Sequence, residues 1–282
     1  MAARGHHHDS HDSSRYPYRY HIRQTAQAPG VAPVNILLVN DDGIEARGLA
    51  ILARVMAEHG RVFVVAPHSQ QSAIGHGITI HEPIRLHERP GLFEGEGIRA
   101  WSLEAKPADC VKFALYALKL DVDIVVSGIN DGPNLGTDII YSGTLAGASE
   151  GIICGKPSMA VSSDFGSFDT AERELPALMA TLLSADVLSA ENVLNINFPA
   201  CSFERSKGIQ LCDMGERPFI HDFVEENGVY WSKGGWGRGN NPQGSDVWAY
   251  ENGYISLSPI QINRTNYAYM EKLRARLPIS LN

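Results

Sequence analysis

The sequence predicts an α/β fold: a doubly wound, mostly parallel β-sheet with helices on both faces. Short apolar runs alternate along the chain with segments whose apolar residues recur at helical spacing, the order expected of successive β-α-β units. The apolar runs are largely continuous, as in strands that are buried on both sides. The length of 282 residues and the 44% apolar content suit one large domain of this class, with or without an appendage.

In the first half of the chain, the apolar runs predict three buried strands separated by helices. Leu49, Leu52 and Val55 recur at the spacing of a helix that packs one face on a sheet. Pro107 suits the first position of a second helix. In order, the predicted elements are a strand at 36–40, a helix at 46–59, a strand at 61–66, strands or a hairpin at a sheet edge within 78–102, a helix at 107–118 and a strand at 122–127.

The second half continues the alternation until about residue 200, where the composition changes. Trp231, Trp236 and Trp248 lie in a polar stretch rich in glycine and asparagine, without helical periodicity. This composition favours an extended hairpin or loop excursion that buries its aromatic side chains against another surface, such as a second subunit. In order, the other predicted elements are a helix at 144–154, a strand at 157–162, a helix at 170–185, a strand at 193–198, a strand at 253–260 and a terminal helix at 267–277.

These elements divide the chain into four segments. We expect a leader at 1–33, a core at 34–200, a hairpin or oligomerisation excursion at 201–252, and a returning strand and C-terminal helix at 253–282. The first segment is rich in histidine, and we interpret it as a disordered or tag-like leader. A histidine cluster is also able to bind transition metals.

The composition excludes several classes of protein. The net charge of −8 argues against a nucleic-acid polymer or an anionic membrane surface as a partner. No run approaches the roughly 18 apolar residues of a membrane span, and the N-terminus lacks the apolar core of a secretory signal. We therefore expect a cytoplasmic protein whose cysteines are free thiols. The four cysteines are Cys110, Cys154, Cys201 and Cys212.

The strand at 36–40 ends abruptly in polar residues. Asp41 and Asp42 follow directly, and ligands of open α/β sheets bind beyond the carboxyl ends of strands. Two adjacent carboxylates repel each other unless a cation lies between them, and their oxygens suit Mg²⁺, Mn²⁺ or Ca²⁺. The sequence therefore predicts a site for a hard divalent cation. A simple Asp-Asp-Gly turn is the alternative.

Other polar groups follow the next strands and open a helix at the same predicted edge. Ser72 and Asn130 offer neutral oxygens that complete the shell of a hard cation. Ser142, Gly143 and Thr144 open a helix, whose free amides favour a phosphate. Each of these residues taken alone also suits an ordinary loop or capping role.

Several neighbouring residues have weaker assignments. Asn134 is a candidate for phosphate binding, or else a turn residue in a left-handed conformation. His68 and His76 are candidate general acids, although solvated loop histidines are commoner. Asp131 and Asp138 are expected to be surface charges.

Four blocks of the sequence, in order and at matching spacing, resemble the SurE family of stationary-phase survival nucleotidases. The blocks are Asn-Asp-Asp-Gly at 40–43, Gln-Ser-Ala-Ile-Gly at 71–75, Ser-Gly-Ile-Asn-Asp-Gly-Pro-Asn at 127–134 and Tyr-Ser-Gly-Thr at 141–144. The similarity runs from about residue 34 to the C-terminus. It implies a Rossmann-like core with a projecting β-hairpin, and a C-terminal segment exchanged within a homodimer or homotetramer. It also implies a metal-dependent phosphatase of 5′- and 3′-nucleoside monophosphates, sometimes also of short polyphosphate.

The sequence departs from this family pattern at three positions. Lys106 stands where many relatives have threonine, Gln71 where many have arginine, and His68 where aspartate is frequent. Lysine cannot cap a helix as threonine does, which leaves the local geometry at 105–110 open. None of the three is a ligand implied by the resemblance.

We therefore predict a phosphomonoesterase, a 5′-nucleotidase with one divalent cation per subunit. The cation lowers the pKa of a water that attacks phosphorus, and Asp41 orients that water. The expected roles are metal ligation by Asp41, Asp42, Ser72 and Asn130, catalysis by Asp41, Asn134, Ser142 and Thr144, and substrate binding by Asn134, Ser142, Gly143 and Thr144. Two alternatives stay open: an aspartyl-phosphate intermediate, and a non-catalytic module that senses phosphoryl groups or nucleotides.

Overall fold

The computed structural model describes residues 34–199 and 205–277. The strands are β1 (Val34–Val39), β2 (Gly60–Pro67), β3 (Leu86–Glu88), β4 (Arg99–Leu103), β5 (Ile124–Asp131), β6 (Ser158–Ser163), β7 (Asn192–Asn197), β8 (Ile209–Leu211), β9 (Phe219–Glu226), β10 (Val229–Trp236) and β11 (Ile255–Gln261). The helices are α1 (Arg47–Ala57), α2 (Pro107–Lys112), α3 (Gly143–Ile153), α4 (Asp169–Ser184), α5 (Asp246–Glu251) and α6 (Tyr267–Arg276). The predicted leader at 1–33 and Cys201 lie outside the described residues.

Nine of these strands form one sheet, in the order β3-β4-β2-β1-β5-β6-β7-β11-β8. All pairings from β4 to β7 are parallel, whereas β3 and β11 run antiparallel to β4 and β7. The chain moves outward from β1 in one direction through β2 and β4, and in the other through β5, β6 and β7. The predicted doubly wound, mostly parallel sheet is confirmed, and the carboxyl end of β1 lies where the strand order reverses. Ligands of such sheets bind at this point.

Helices cover β1 on both faces. Ile36 and Leu38 belong to a core cluster with residues of α1 and α4, whereas Leu37 and Val39 belong to a second cluster with residues of α2. Alternate side chains of a strand point to opposite faces, so the continuous apolar run fills both layers. The strand that delivers Asp41 and Asp42 is thus held rigidly at the centre of the core.

The structure extends β5 four residues beyond its predicted end at residue 127. The strand continues through Gly128, whose φ of +137° and close approach to the carbonyl of Val161 (2.2 Å from an ideal β-carbon) both exclude a side chain. Its register against β6 shifts between Ser127 and Asn130. Asn130 and Asp131 therefore stand on a strand end rather than in the predicted loop, which fixes their positions beside β1.

Two other predicted elements differ in the structure. The helix expected at 107–118 is α-helical only to Lys112 and continues as a π-helical turn over Phe113–Ala117. Trp248 was expected in a region without helix, but it lies in α5. This helix has only six residues, too few to show a period, and Ser245 caps it by accepting a hydrogen bond from the Trp248 amide at 3.2 Å.

The predicted projecting hairpin and C-terminal helix are present. Among the strands that the structure describes, β9 and β10 pair only with each other, and most of their side chains are exposed. α6 carries no buried residue. No helix in the described part of the chain has the length and apolarity needed to cross a membrane.

A buried polar network joins the root of the hairpin to the segment after β5. The carboxylate of Asp246 accepts hydrogen bonds from the amides of Gly136, Gly215 and Val247, each at 2.8 Å. Nearby, Arg217 donates to Asp138 at 2.7 Å. Burial raises the pKa of Asp138 to about 6, although Arg217 opposes this rise. The expectation that Asp138 is a surface charge is therefore wrong, because its ion pair anchors the hairpin to the core.

The described cysteines are free thiols, as predicted. Cys110 and Cys212 are buried and Cys154 is half-buried. Burial raises the pKa of the Cys212 thiol to about 11. These thiols are therefore protonated at neutral pH and serve as small apolar side chains.

Candidate active site

The carboxyl ends of β1, β2 and β5 meet the N-terminus of α3 where the strand order reverses. Asp41 follows β1 and is only 6% exposed. Thr144 Oγ1, in the first turn of α3, donates to Asp41 Oδ1 at 2.5 Å. A β-carbon on Gly143 would lie 2.7 Å from Asp41 Oδ2, so the helix approaches this closely only with glycine here. The first carboxylate of the pair is therefore held between a strand end and a helix start.

Asp41 has less stabilisation of its negative charge than a carboxylate in water. Burial raises its pKa from 3.8 to about 6, and repulsion from Asp42 adds to the rise. The hydrogen bond from Thr144 opposes it without restoring the ordinary value. A positive charge beside Asp41 would lower its pKa and remove this cost.

Asp42 is half-buried and is held by β5. The backbone amide of Asp131 donates to Asp42 Oδ2 at 3.0 Å. Burial raises the pKa of Asp42, and the Asp131 amide opposes the rise. Asp131 is exposed, as expected for a surface charge, but its own Oδ1 accepts from the Gly166 amide at 2.6 Å. Asp131 therefore links the second carboxylate to the segment after β6, a role that the sequence did not reveal.

The other two predicted ligands lie on segments tied to this pair. Ser72 is exposed. The backbone N–H of the neighbouring residue Gln71 donates to the backbone carbonyl of Asp41 at 2.7 Å. Asn130 Nδ2 donates to the carbonyl of Gly132 at 2.7 Å, which leaves its amide oxygen for a ligand. Backbone contacts thus hold the loop of Ser72 next to Asp41, and the pairing of β5 with β1 places Asn130 at the same edge of the sheet.

The three residues that open α3 have different roles in this structure. Ser142 caps the helix, and its Oγ accepts from the Leu145 amide at 3.0 Å, which leaves the hydroxyl hydrogen for a ligand. Thr144 binds Asp41 through both its hydroxyl and its backbone amide. The hydroxyl hydrogen of Thr144 is therefore committed to the carboxylate rather than to a phosphate.

Asn134 lies in a buried network below this edge. Its Nδ2 donates to Ser162 Oγ at 2.8 Å, and its amide donates to Asn197 Oδ1 at 2.7 Å. Its carbonyl accepts from Asn195 and Asn197, two fully buried side chains of β7. These two asparagines were missed, although an Asn-x-Asn pattern in a strand predicted to be buried is an available signal of a polar network.

The two candidate general acids are both paired with other side chains. His76 Nε2 lies 2.8 Å from Glu150, a buried residue of α3. His68 Nδ1 lies 3.0 Å from the guanidinium of Arg89. His76 thus links its loop to α3, and His68 belongs to a separate pocket.

The oxygen atoms of the acidic pair and of its neighbouring residues are of the kinds that bind a hard divalent cation. They comprise two carboxylates, a serine hydroxyl and an asparagine amide oxygen. The buried Asn40 Oδ1 is a further oxygen, and it accepts no hydrogen bond within the described part of the chain. Across 34–199 and 205–277, no three His, Cys, Asp and Glu side chains form a metal-binding group. A cation here would therefore rely on Ser72 and Asn130 as well as on the two carboxylates.

The three departures from the family pattern lie together in one pocket of about 260 Å³ beside the acidic pair. His68, Gln71 and Lys106 all line it. Lys106 offers α2 no side-chain cap; instead Asp109 accepts a hydrogen bond from the Lys106 amide at 3.2 Å. The start of α2, whose geometry the sequence left open, is thus stabilised by the side chain of Asp109 within the helix.

Comparisons with known proteins agree with this architecture. A family model described as "Survival protein SurE" matches residues 36–221. The chain is 38% identical to the "5'-nucleotidase SurE" of Alkaliphilus metalliredigens over 86% of its own length and 98% of that protein. It is 41% identical to the protein of the same name from Moorella thermoacetica, over 86% and 95%. The crystal structure of the SurE protein from Aquifex aeolicus superposes with a TM-score of 0.72 at 34% identity, covering 86% of this chain and 98% of that one.

Replacing Asp41 with asparagine should stabilise the cation-free protein at high pH. The pKa of Asp41 is raised to about 6, so the folded protein keeps a proton that the unfolded chain releases near pH 4. The stability associated with that proton is lost as the pH rises from about 4 to above 6. In urea denaturation with EDTA at pH 8, we expect D41N to raise the free energy of unfolding by about 2 kcal/mol, with the gain disappearing towards pH 4.

The matched control is D213N, because Asp213 is exposed and its backbone hydrogen bonds do not depend on its side chain. This variant should change the free energy of unfolding little at either pH. An equal loss of stability in D41N at both pH values would show that the carboxylate of Asp41 carries no strain.

Proposed function

This chain belongs to the SurE survival-protein family, and on that basis we propose that it is a metal-dependent 5′-nucleotidase, which hydrolyses nucleoside 5′- and 3′-monophosphates to nucleoside and phosphate. Relatives that are 38% and 41% identical over most of their length are named for 5′-nucleotidase activity. The observation that carries the proposal is the strained carboxylate pair beside the N-terminus of α3. Hydrolysis of a phosphomonoester requires a cation and amide donors close together to stabilise the charge on the phosphate oxygens. The carboxylate pair is the candidate for the first, and the N-terminus of α3 is the candidate for the second.

We assign the cation, one Mg²⁺, Mn²⁺ or Ca²⁺ per subunit, to Asp41, Asp42, Ser72 and Asn130. When bound, such an ion polarises a phosphate oxygen and lowers the pKa of water. The raised pKa values of the two carboxylates support this assignment, because each group gains stability from a neighbouring positive charge. The uncommitted amide oxygen of Asn130 supports it further.

The residues at the start of α3 are proposed to bind and orient the phosphate. The amide of Gly143 lies at the positive end of the helix, and the Ser142 hydroxyl retains a hydrogen to donate. Thr144 acts on Asp41, holding Oδ1 so that the carboxylate keeps one orientation towards the attacking water. Thr144 is therefore a positioning residue.

Asn134 is proposed to help bind the phosphate from the other side. Its side chain is fixed by Ser162, and the remaining hydrogen of its Nδ2 is the one that a phosphate oxygen would accept. Asn195 and Asn197 hold the Asn134 backbone and keep this donor in place. Such preorganised donors stabilise developing charge without reorganisation during the reaction.

The aspartyl-phosphate mechanism is less favoured by the geometry of Asp41. A nucleophilic carboxylate oxygen needs open space for in-line attack. In this structure Oδ1 is hydrogen-bonded to Thr144, and Oδ2 lies 2.7 Å from the position that a β-carbon on Gly143 would occupy. Direct attack by water is therefore the proposed route.

We also propose that the protein self-associates as a dimer or tetramer that exchanges its C-terminal segment. The hairpin exposes large aromatic side chains, including Tyr230 at 72% and Trp231 at 55%, and α6 has no buried residue. Surfaces of this kind are normally covered by a partner. Sedimentation of the full chain as a monomer at micromolar concentration would contradict self-association.

Phosphate release from adenosine 5′-monophosphate tests the function directly. After EDTA treatment we expect no turnover, with activity restored by Mn²⁺ or Mg²⁺. D42N should lower kcat/KM by about 100-fold or more, since even residues outside the first coordination shell cost about 10–100-fold. The matched control D222N alters an exposed aspartate of the hairpin and should retain full activity.

The same assay distinguishes the alternatives. With a phosphorothioate substrate that is made chiral by oxygen isotopes, direct attack by water inverts the configuration at phosphorus, whereas two successive displacements through an aspartyl-phosphate retain it. Acid-stable phosphate on the chain would favour the covalent route. Nucleotide binding without any phosphate release would show a sensing module instead.

A further inference from the structure

We propose that the pocket beside the acidic pair binds the ribose of the substrate, and that Glu104 makes the enzyme prefer ribonucleotides over 2′-deoxyribonucleotides. The pocket lies at the carboxyl ends of β2 and β4, and its volume is about 260 Å³. This inference rests on the proposed nucleotidase function and adds to it the class of nucleotide that the site prefers.

The position of the pocket is what a sugar attached to the bound phosphate requires. Gln71 lines the pocket, while its backbone amide donates to the carbonyl of Asp41 at 2.7 Å. Ser69 also lines the pocket, and its backbone carbon lies 3.4 Å from an ideal β-carbon on Gly43, next to Asp42. One loop thus separates the acidic pair from the pocket. A single ester oxygen joins phosphate and sugar, so the adjoining cavity is where the sugar belongs.

The pocket offers a hydrogen-bond donor of defined orientation in His68. An arginine guanidinium can only donate, so the 3.0 Å contact with Arg89 makes His68 Nδ1 the acceptor. The ring hydrogen therefore lies on Nε2, where it is available to a ligand oxygen. Arg89 is itself oriented, because its Nε donates to Ser102 Oγ at 3.0 Å.

Glu104 supplies the acceptor that a sugar hydroxyl needs. His87 and Arg85 hydrogen-bond its two carboxylate oxygens, at 3.1 and 3.2 Å, and the bond from His87 holds its pKa below the ordinary value. An ionised carboxylate accepts hydrogen bonds only, and each oxygen has a second lone pair for a ligand. Carboxylates bind the 2′-hydroxyl of ribose in the same way in dinucleotide-binding folds.

The hydrogen-bonding groups of the pocket suit a hydroxyl-rich ligand better than a second phosphate. Its lining contains two carboxylates, Glu82 and Glu104, which accept hydrogen bonds, and the ammonium group of Lys106, which donates them. A sugar hydroxyl both donates and accepts, whereas an ionised phosphate only accepts and gains nothing from the carboxylates.

The part of the wall formed by Thr79 and Lys106 is held by hydrogen bonds within the protein, so this wall is already ordered before a ligand binds. The backbone N–H of Thr79 is shared between the two carboxylate oxygens of Asp109, each at 3.0 Å, and the Thr79 hydroxyl donates to Oδ2 at 2.7 Å. Lys106 Nζ donates to Thr79 Oγ1 and to the carbonyl of Ile78, both at 3.2 Å. Leu103 adds an apolar surface. Preformed walls reduce the entropy cost of ordering a ligand.

The test compares adenosine 5′-monophosphate with its 2′-deoxy analogue. A site built around a substrate hydroxyl discriminates against the analogue that lacks it. We expect the wild-type kcat/KM to favour the ribonucleotide by about tenfold, the effect of one hydrogen bond to a charged group. E104Q should lower turnover of the ribonucleotide alone and bring the two substrates within about twofold. The control E88Q removes an exposed carboxylate from the neighbouring strand β3 and should preserve the wild-type ratio.

A second measurement does not depend on turnover of the nucleotide. Free adenosine should inhibit hydrolysis of p-nitrophenyl phosphate by the wild-type enzyme about tenfold more strongly than 2′-deoxyadenosine, and E104Q should remove that difference. Equal wild-type constants for the two nucleotides, or an equal loss for both in E104Q, would overturn the ribose assignment while leaving the nucleotidase function intact. Absence of turnover for both nucleotides would instead contradict the proposed function, and this inference with it.

Discussion

Two carboxylates placed side by side at the end of a buried strand determine how the rest of the site is arranged. β1 lies at the centre of the sheet with helices on both faces, so Asp41 emerges where water is scarce and repulsion from Asp42 is poorly screened. Thr144 and the amide of Asp131 offset part of this cost. The remaining cost is the physical basis for the proposed cation site, because a neighbouring positive charge would lower the pKa of both carboxylates.

The surrounding architecture serves to keep that pair in one geometry. Gly143 lets α3 approach Asp41 closely, and Gly128 lets β5 continue far enough to bring Asp131 to Asp42. On the other side, the loop after β2 is fastened to Asp41 through the amide of Gln71. The ion pair of Asp138 and Arg217 fixes the segment that precedes α3 to the root of the hairpin. The contacts of several elements therefore hold the acidic pair in place despite the repulsion between its carboxylates.

Most of the fold follows from local patterns in the sequence, whereas the details of the site depend on contacts between distant segments. Continuous apolar runs identify β1 and β5, and helical spacing identifies α1. The four residues by which β5 exceeds its predicted end contain the positive φ of Gly128 and a register shift against β6, and hydrophobic periodicity reveals neither. The bond between Thr144 and Asp41 spans 103 residues, and it changes the expected role of Thr144. The role of Asn195 and Asn197 was not predicted for the same reason, because their partner Asn134 lies more than 60 residues away in the sequence.

Direct measurement of Mn²⁺ binding by electron paramagnetic resonance is the sharpest test of this account. We expect one Mn²⁺ per chain at pH 7.5. Affinity should fall by about tenfold at pH 5, because a proton on Asp41, with its pKa of about 6, must leave before the ion binds. D41N should lose both the tight site and its pH dependence. A wild-type chain that binds no Mn²⁺, or one whose affinity is the same at both pH values and unchanged in D41N, would contradict the claim that the acidic pair holds the cation.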